Sequence, residues 1–219
     1  ETKDIIIVNK PAGQLSQGAK GFDLDLVSEV MTYNASQGKP AYAAIINRLD
    51  RPVSGLVLIA KNKSAAAKYS TLMQKEGGFN KQYEALICGK LSELKGTFVD
   101  YLKKDGRTNT SAIVPADAAA NDKEAKLSKL EYEVISYDEV KDITHVRIHL
   151  ITGRHHQIRV QFASRRHPLV GDYKYATAYC GMDNAVKAVA LKRNQIALCA
   201  VSLTIDNKTF SVTPDFVIN

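Results

Sequence analysis

Short apolar runs, and stretches in which apolar and polar residues alternate, recur along this chain of 219 residues and predict a strand-rich fold. Within one such stretch, Val146, Ile148 and Leu150 share one face of the predicted strand. His145, Arg147 and His149 share the other face, so the apolar side of this strand should face the core. We predict strands over residues 5–9, 42–46, 56–61, 79–88, 126–137, 144–150, 195–205 and 209–212.

Helical signals are fewer than strand signals. Residues 23–36 carry apolar side chains at helical spacing, and residues 63–75 are rich in alanine, so both segments predict helices. Residues 105–122 are polar; we predict an edge strand or hairpin in their first part and a loop over residues 115–122. Without a regular strand–helix–strand rhythm, the pattern favours one α+β domain over residues 1–219, with a mixed, largely antiparallel sheet flanked by helices and loops.

Charge and cysteine content narrow the functional classes. A net charge of +7 and a pI near 9.2 favour a polyanionic partner, which leaves RNA, DNA and an acidic membrane surface open. Cys88, Cys180 and Cys199 are odd in number and far apart, which argues against a disulfide framework and indicates a reducing cytoplasm. No apolar run approaches the roughly 20 residues that a membrane-spanning helix needs, so we expect no membrane association.

One short segment carries an unusual concentration of charge. Asp50 lies between Arg48 and Arg51, just before an apolar strand. Neighbouring guanidinium groups favour the ionised carboxylate and fix its direction, which makes Asp50 a candidate nucleophile. The alternative interpretation is a structural ion pair on the surface.

Five motifs in order connect this segment to a known family. They are Asn-Lys-Pro-Ala-Gly at residues 9–13, Lys-Gln-Tyr-Glu-Ala at 81–85, Gly-Arg-His-His-Gln-Ile-Arg at 153–159, His-Pro-Leu-Val-Gly-Asp at 167–172 and Ile-Ala-Leu-Cys-Ala at 196–200. With Arg-Leu-Asp at residues 48–50, the set resembles the RluA family of pseudouridine synthases. The resemblance implies an isomerase that converts specific uridines of structured RNA to pseudouridine, with ribosomal RNA as the first expected substrate and transfer RNA as the alternative.

The resemblance also implies roles for individual residues. Asp50 matches the essential aspartate, and Arg159 matches the arginine that pairs with it. Tyr83 matches the aromatic residue that stacks on the target uracil, a contact suited to an extruded base. Leu198 matches a residue that packs beside the base, and Arg48 matches one that assists base extrusion.

Basic side chains near these motifs are candidates for RNA contacts. Arg154 and His155 open a segment that we predict to be helical, where phosphate could be bound. The other candidates are Lys10, Arg51, Arg165, Arg166 and Lys174.

We expect neither a metal nor a nucleotide cofactor. His145 and His149 are too far apart along a strand to share a metal ion, and His155 with His156 lacks a carboxylate or thiolate at ligand spacing. The glycine-containing stretch at residues 13–20 lacks the Lys-Ser/Thr pair of a phosphate loop.

Departures from the family pattern concern supporting positions. Asn47 and Cys199 stand where histidine is common, and His155 stands where serine or threonine is common. The first motif begins at residue 9, so we expect no amino-terminal RNA-binding module in this chain, and we expect a monomer.

Two other functions compete with the isomerase. A non-catalytic RNA-binding or ribosome-assembly protein would keep the fold without the reaction. A glycosidase or nucleoside hydrolase would need a second carboxylate near Asp50. The nearest such residue by motif is Asp172, to which we assign a turn-forming role after Gly171.

Overall fold

Ten strands form one continuous sheet in the computed structural model, which describes residues 1–18, 24–75, 78–180, 191 and 195–216. The strands are β1 Ile5–Lys10, β2 Ala44–Ile45, β3 Ser54–Ala60, β4 Asn80–Cys88, β5 Lys95–Asp105, β6 Thr110–Val114, β7 Lys126–Asp138, β8 Ile143–Leu150, β9 Leu198–Ile205 and β10 Lys208–Ser211. The helices are α1 Leu26–Ser36, α2 Lys63–Gln74, α3 Ala116–Ala119, α4 Gln157–Ala163 and α5 Tyr173–Cys180.

The sheet is mixed and largely antiparallel, which confirms the predicted fold class. Its strands run in the order β1-β3-β9-β4-β8-β7-β5-β6, with β10 pairing β9 and β2 pairing β3. The parallel pair is β3 with β9, where Ser54 lies opposite Cys199 and Gly55 opposite Ala200. This contact brings the strand that follows Asp50 against the strand that carries Leu198.

Two faces of the sheet are covered differently. On one face, β8 contributes Val146, Ile148 and Leu150 to the largest apolar cluster, which also contains Phe162 of α4. The opposite face of β8 is polar, and there His145 contacts Glu84 and His149 contacts Glu131. The predicted alternation of this strand is therefore confirmed, and α4 lies on its apolar face.

Gly55 allows β3 and β9 to approach each other closely. Its φ of 116° is unfavourable for residues with a side chain, and a Cβ there would lie 2.4 Å from the Ala200 carbonyl oxygen. We expect Gly55→Ala to lower the free energy of unfolding by at least about 2 kcal/mol, because backbone strain and overpacking add. Urea unfolding measures this loss, and Gly106→Ala is the control because nothing lies within 4 Å of its Cβ position. Equal midpoints for the two variants would contradict the steric argument.

The structure corrects the predicted elements at three places. The strand predicted over residues 42–46 is limited to Ala44–Ile45, and residues 115–122, predicted as a loop, contain the short helix Ala116–Ala119. Strand β5, Lys95–Asp105, was not predicted. Its buried positions Phe98 and Leu102 are four residues apart and are flanked by Lys95 on one side and by Lys103, Lys104 and Asp105 on the other, so its apolar signal is weak. Position 23, the start of the first predicted helix, lies outside the described residues.

Candidate active site

The loop between β2 and β3 presents Asp50 while its neighbours anchor the backbone. Leu49 and Val53 are buried, and the Ser16 hydroxyl donates to the Leu49 carbonyl and accepts from the Leu49 N–H. The Asn47 amide donates to the Leu56 carbonyl and accepts from the Leu58 N–H, so it fastens the loop to β3. Held this way, Asp50 keeps 30% of its side chain exposed.

Lys10, which we predicted to contact RNA, is buried beneath the same loop and supports its backbone. The side chain is completely buried, and Nζ donates to the carbonyls of Gln14 at 2.9 Å, Pro11 at 3.0 Å and Arg51 at 3.4 Å. Burial lowers the pKa of Lys10 to about 8, against the opposing influence of Asp50. The ammonium group therefore organises the backbone around Asp50 and does not face solvent.

Arg159 of α4 joins two carboxylates. Its Nη1 donates to Asp50 Oδ2 at 3.0 Å, while Nε and Nη2 donate to the two oxygens of Asp172 at 2.6 and 2.9 Å. Burial opposes the charge of this guanidinium, but the hydrogen bonds and charge of Asp172, with the charge of Asp50, raise the pKa of Arg159. Bidentate pairing fixes the guanidinium plane, and thereby the direction from which Asp50 is held.

Asp172 has the turn-forming role assigned to it, because its N–H donates to the Leu169 carbonyl at 3.0 Å, and its side chain has a second role that was not predicted. Its side chain is only 1% exposed and serves as the bidentate partner of Arg159. With both oxygens accepting from Arg159, Asp172 is placed to orient this arginine.

His156 also contacts Asp50 and was missed as a site residue. Its Nε2 lies 3.4 Å from Asp50 Oδ2, and its Nδ1 lies 2.7 Å from the Tyr175 hydroxyl. Burial lowers the pKa of His156 to about 3, so the imidazole is neutral at pH 7. The one sequence signal for His156 as a site residue was its position three residues before Arg159. Its contact with Tyr175 could not be predicted, because Tyr175, like Asp172, belongs to a different segment of the chain.

Tyr83 lies in β4, where the pairing with β9 is irregular between Gln82 and Tyr83. Such a bulge changes the direction of a side chain. Burial and the negative charge of Asp50 both raise the pKa of the Tyr83 phenol, which therefore keeps its proton at neutral pH. Leu198 is buried in the same apolar cluster as Tyr83.

The other residues that we predicted to contact RNA differ in how exposed their side chains are. Arg48 and Arg51 are exposed on the Asp50 loop, and Arg51 Nε donates to the Gly13 carbonyl. Arg154 is exposed, whereas His155 is half-buried, with Nδ1 2.9 Å from the Ser111 hydroxyl oxygen. Both precede α4, which begins at Gln157, so the prediction that they open the helix was wrong.

Three more basic residues have protein partners. Arg165 forms a bidentate pair with Asp100 and lies over the Phe98 ring. Arg166 donates to the Tyr179 carbonyl, and Lys174 donates to two backbone carbonyls of the β5–β6 turn. These contacts restrict the conformations of the three side chains, which makes them less able to bind a polyanionic partner.

Two further features bear on the class of site. In the ranges that the structure describes, no group of three or more His, Cys, Asp or Glu side chains is arranged to hold a metal ion. No helix in these ranges is long and apolar enough to cross a membrane.

The two oxygens of the Asp50 carboxylate have different surroundings. Asp50 Oδ2 faces Arg159 and His156, whereas Oδ1 has no hydrogen-bond partner among the described residues. A carboxylate held in this way can attack an electrophilic carbon or stabilise a developing positive charge.

Comparison with known proteins finds a matching family model and several similar curated proteins. The family model described as RNA pseudouridylate synthase matches residues 4–164. Ribosomal large subunit pseudouridine synthase D of Buchnera aphidicola is 33% identical over 177 residues, which is 80% of this chain and 53% of that protein. The protein of the same name from Vibrio cholerae is 30% identical over 176 residues, 80% of this chain and 51% of the relative. The chain thus spans about half the length of these curated relatives.

Solved structures support the same fold. Human RNA Pseudouridylate Synthase Domain Containing 1 superposes with a TM-score of 0.73 at 24% identity, covering 98% of this chain and 81% of the human one. Human RNA Pseudouridylate Synthase Domain Containing 4 has the same TM-score at 18% identity, covering 98% and 87%. At these identities the likeness concerns the fold alone.

Proposed function

The chain belongs to the RNA pseudouridylate synthases, and from this premise we propose that it isomerises uridine to pseudouridine in ribosomal RNA with Asp50 as its essential carboxylate. The observation that carries the proposal is the Asp50 carboxylate itself. It is partly exposed, it is bound on one oxygen by Arg159, and its charge acts on the buried Tyr83 phenol.

The reaction suits this set of groups. Isomerisation breaks the N1–C1′ bond and joins C1′ to C5, and the C5 hydrogen leaves as a proton, so no electrons are gained or lost. A carboxylate can form or stabilise a glycosyl species at C1′. The assignment of Asp50 holds equally for attack on C1′, addition to the base and elimination to a glycal.

RNA contacts would come from polar side chains around Asp50, of which three arginines are exposed and His155 is half-buried. Arg48 is the residue proposed to fill the space of the extruded nucleotide, while Arg51, Arg154 and His155 contact phosphate or sugar. Extrusion costs a few kcal/mol, which phosphate contacts and stacking on Tyr83 would offset. Leu198 would supply an apolar wall beside the base.

Ribosomal RNA is the proposed substrate because the curated relatives are named for the large ribosomal subunit. Transfer RNA is the second substrate to test. We also propose that the protein acts as a monomer in the cytoplasm.

Tyr83→Phe separates the ring of this residue from its hydroxyl. We expect kcat to fall by about 100-fold, because a positioned proton donor or acceptor contributes at least this much, while KM stays close to that of the wild type. The ring remains available for stacking, so Tyr83→Leu should lower RNA affinity as well. Steady-state kinetics on one RNA measure both effects. A kcat within about threefold of wild type would show that the Tyr83 hydroxyl has no part in the reaction and would leave only the ring with a role.

Release of tritium from RNA labelled at uridine C5 tests the proposed function. The substrates are large-subunit ribosomal RNA transcripts, assembled large subunits lacking the modification, and transfer RNA transcripts. We expect release from a ribosomal substrate. Release from transfer RNA alone would change the substrate, and the absence of release from all three would overturn the proposed activity.

A further inference from the structure

Asp50 is contacted on a single oxygen by two residues of different charge. Arg159 Nη1 donates to Oδ2 at 3.0 Å, and His156 Nε2 lies 3.4 Å from the same atom. The second distance is longer than a formed hydrogen bond. In free enzymes such contacts are often long and shorten when substrate binds.

Tyr175 determines which nitrogen of His156 carries the proton. The Tyr175 hydroxyl accepts from the Ser111 N–H at 2.9 Å and lies 2.7 Å from His156 Nδ1. Tyr175 is buried, so its own proton needs an acceptor, and Nδ1 is the acceptor within reach. The imidazole proton then lies on Nε2, towards Asp50.

The opposite tautomer would be penalised at both ends of the ring. A proton on Nδ1 would leave the Tyr175 hydroxyl proton without a partner in the described part of the chain. It would also place the Nε2 lone pair 3.4 Å from a carboxylate oxygen. Two independent contacts thus select the same tautomer.

The surroundings also keep the ring uncharged. Burial disfavours the imidazolium most, and although Asp50 favours it, the charges of Arg159, His155 and Lys174 oppose it, which leaves the pKa of His156 at about 3. A neutral donor orients the Asp50 carboxylate without adding a second positive charge that would weaken it as a nucleophile.

We infer that His156 is a positioning residue: as the neutral Nε2–H tautomer fixed by Tyr175, it holds Asp50 Oδ2 together with Arg159 and leaves Oδ1 to face the substrate. The inference rests on the proposed function. It adds a chain from Ser111 through Tyr175 and His156 to the carboxylate, which sets the rotation of the reacting group.

A matched pair of variants tests the role of Nε2. The amide nitrogen of glutamine reaches the place of Nε2, whereas asparagine reaches only that of Nδ1. Asparagine is well suited to the left-handed backbone at His156, with φ of 52°, so its variant should fold. We expect His156→Asn to lower kcat by about 100-fold with KM unchanged, and His156→Gln to recover most of that loss. Equal kcat values for the two variants would overturn the inference.

Nuclear magnetic resonance reads the tautomer without substrate. Two-bond correlations between ring protons and nitrogens in ¹⁵N-histidine protein distinguish the protonated nitrogen, and the His156→Asn spectrum assigns the signal. We expect protonation on Nε2 at pH 7 and a loss of this preference in Tyr175→Phe. Protonation on Nδ1, or on both nitrogens, would overturn the inference.

The two readouts also separate this inference from the proposed function. His149→Gln, a change on the opposite face of the sheet, is the kinetic control and should keep the wild-type kcat. If wild-type protein releases no tritium from any RNA, the proposed function fails, and the positioning role fails with it. The spectrum would still report the tautomer.

Discussion

Asp50→Asn should abolish turnover and leave RNA binding intact. The amide has the shape of the carboxylate but lacks its charge and nucleophilicity, so we expect kcat to fall by at least about 10⁴-fold, the scale seen when a group central to catalysis is removed. Arg159 stays paired with Asp172, so the variant should fold. The dissociation constant for RNA should change by less than about threefold, since phosphate contacts supply most affinity. Tritium release and filter binding at one salt concentration measure both quantities.

Asp206→Asn is the matched control for this substitution. Asp206 lies in the β9–β10 turn, half-exposed, with a φ of 48° that asparagine tolerates. It should keep wild-type turnover. If Asp50→Asn turns over at a comparable rate, Asp50 has no essential part in the mechanism. If wild type and Asp50→Asn bind RNA equally and neither reacts, the chain is a binding protein that keeps the fold.

Asp172→Ala should cause the second large effect, on stability. The substitution leaves the buried Arg159 guanidinium without its bidentate partner, and removing one member of a buried ion pair costs about 3–5 kcal/mol. Turnover should fall as well, because Arg159 also orients Asp50. Urea unfolding measures the stability change.

An exposed ion pair provides the control for Asp172→Ala. Lys95 and Glu133 are 2.8 Å apart with side chains 73% and 49% exposed, so Glu133→Ala should cost no more than about 1 kcal/mol. If both variants unfold at the same urea concentration, the buried Asp172–Arg159 pair contributes no more to stability than the exposed Lys95–Glu133 pair.

The sequence predicted the elements whose side chains follow a clear period. Strand β8 alternates from His145 to Leu150, and the alanine-rich helix predicted over residues 63–75 is found as Lys63–Gln74. Strand β5 was not predicted, because charged residues fill most of the positions before Phe98 and after Leu102. The short helix Ala116–Ala119 begins after Pro115 and buries Ala119, a packing effect that local composition does not reveal.

The site depended on contacts that spacing along the chain cannot give. Asp50 and Arg159 are separated by 109 positions, and the family resemblance, rather than any periodicity, brought them together. His156 and Asp172 acquire their places only when α4 and the segment before α5 meet the Asp50 loop. The burial of Lys10 was equally hidden, because a lysine beside a turn is ordinarily exposed.

Two of the three residues that depart from the family pattern make specific contacts in the structure. Asn47 supplies both a donor and an acceptor to β3, a pair of contacts suited to an amide. His155 stacks on His156 with ring centroids 3.8 Å apart and lies beside the Ser111 hydroxyl. Cys199 is buried opposite Ser54, and burial raises the pKa of its thiol to about 11. Nothing in the structure explains why cysteine stands there.

Nucleoside analysis of the reacted RNA distinguishes isomerisation of uridine from hydrolysis of its glycosidic bond. After incubation with the wild-type protein, the whole reaction mixture is digested to nucleosides, and pseudouridine and free uracil are quantified by chromatography while the released tritium is counted in parallel. We expect one pseudouridine for each tritium released and no free uracil, with neither product formed by Asp50→Asn. Free uracil in place of pseudouridine would make the protein a hydrolase and contradict the proposed isomerisation.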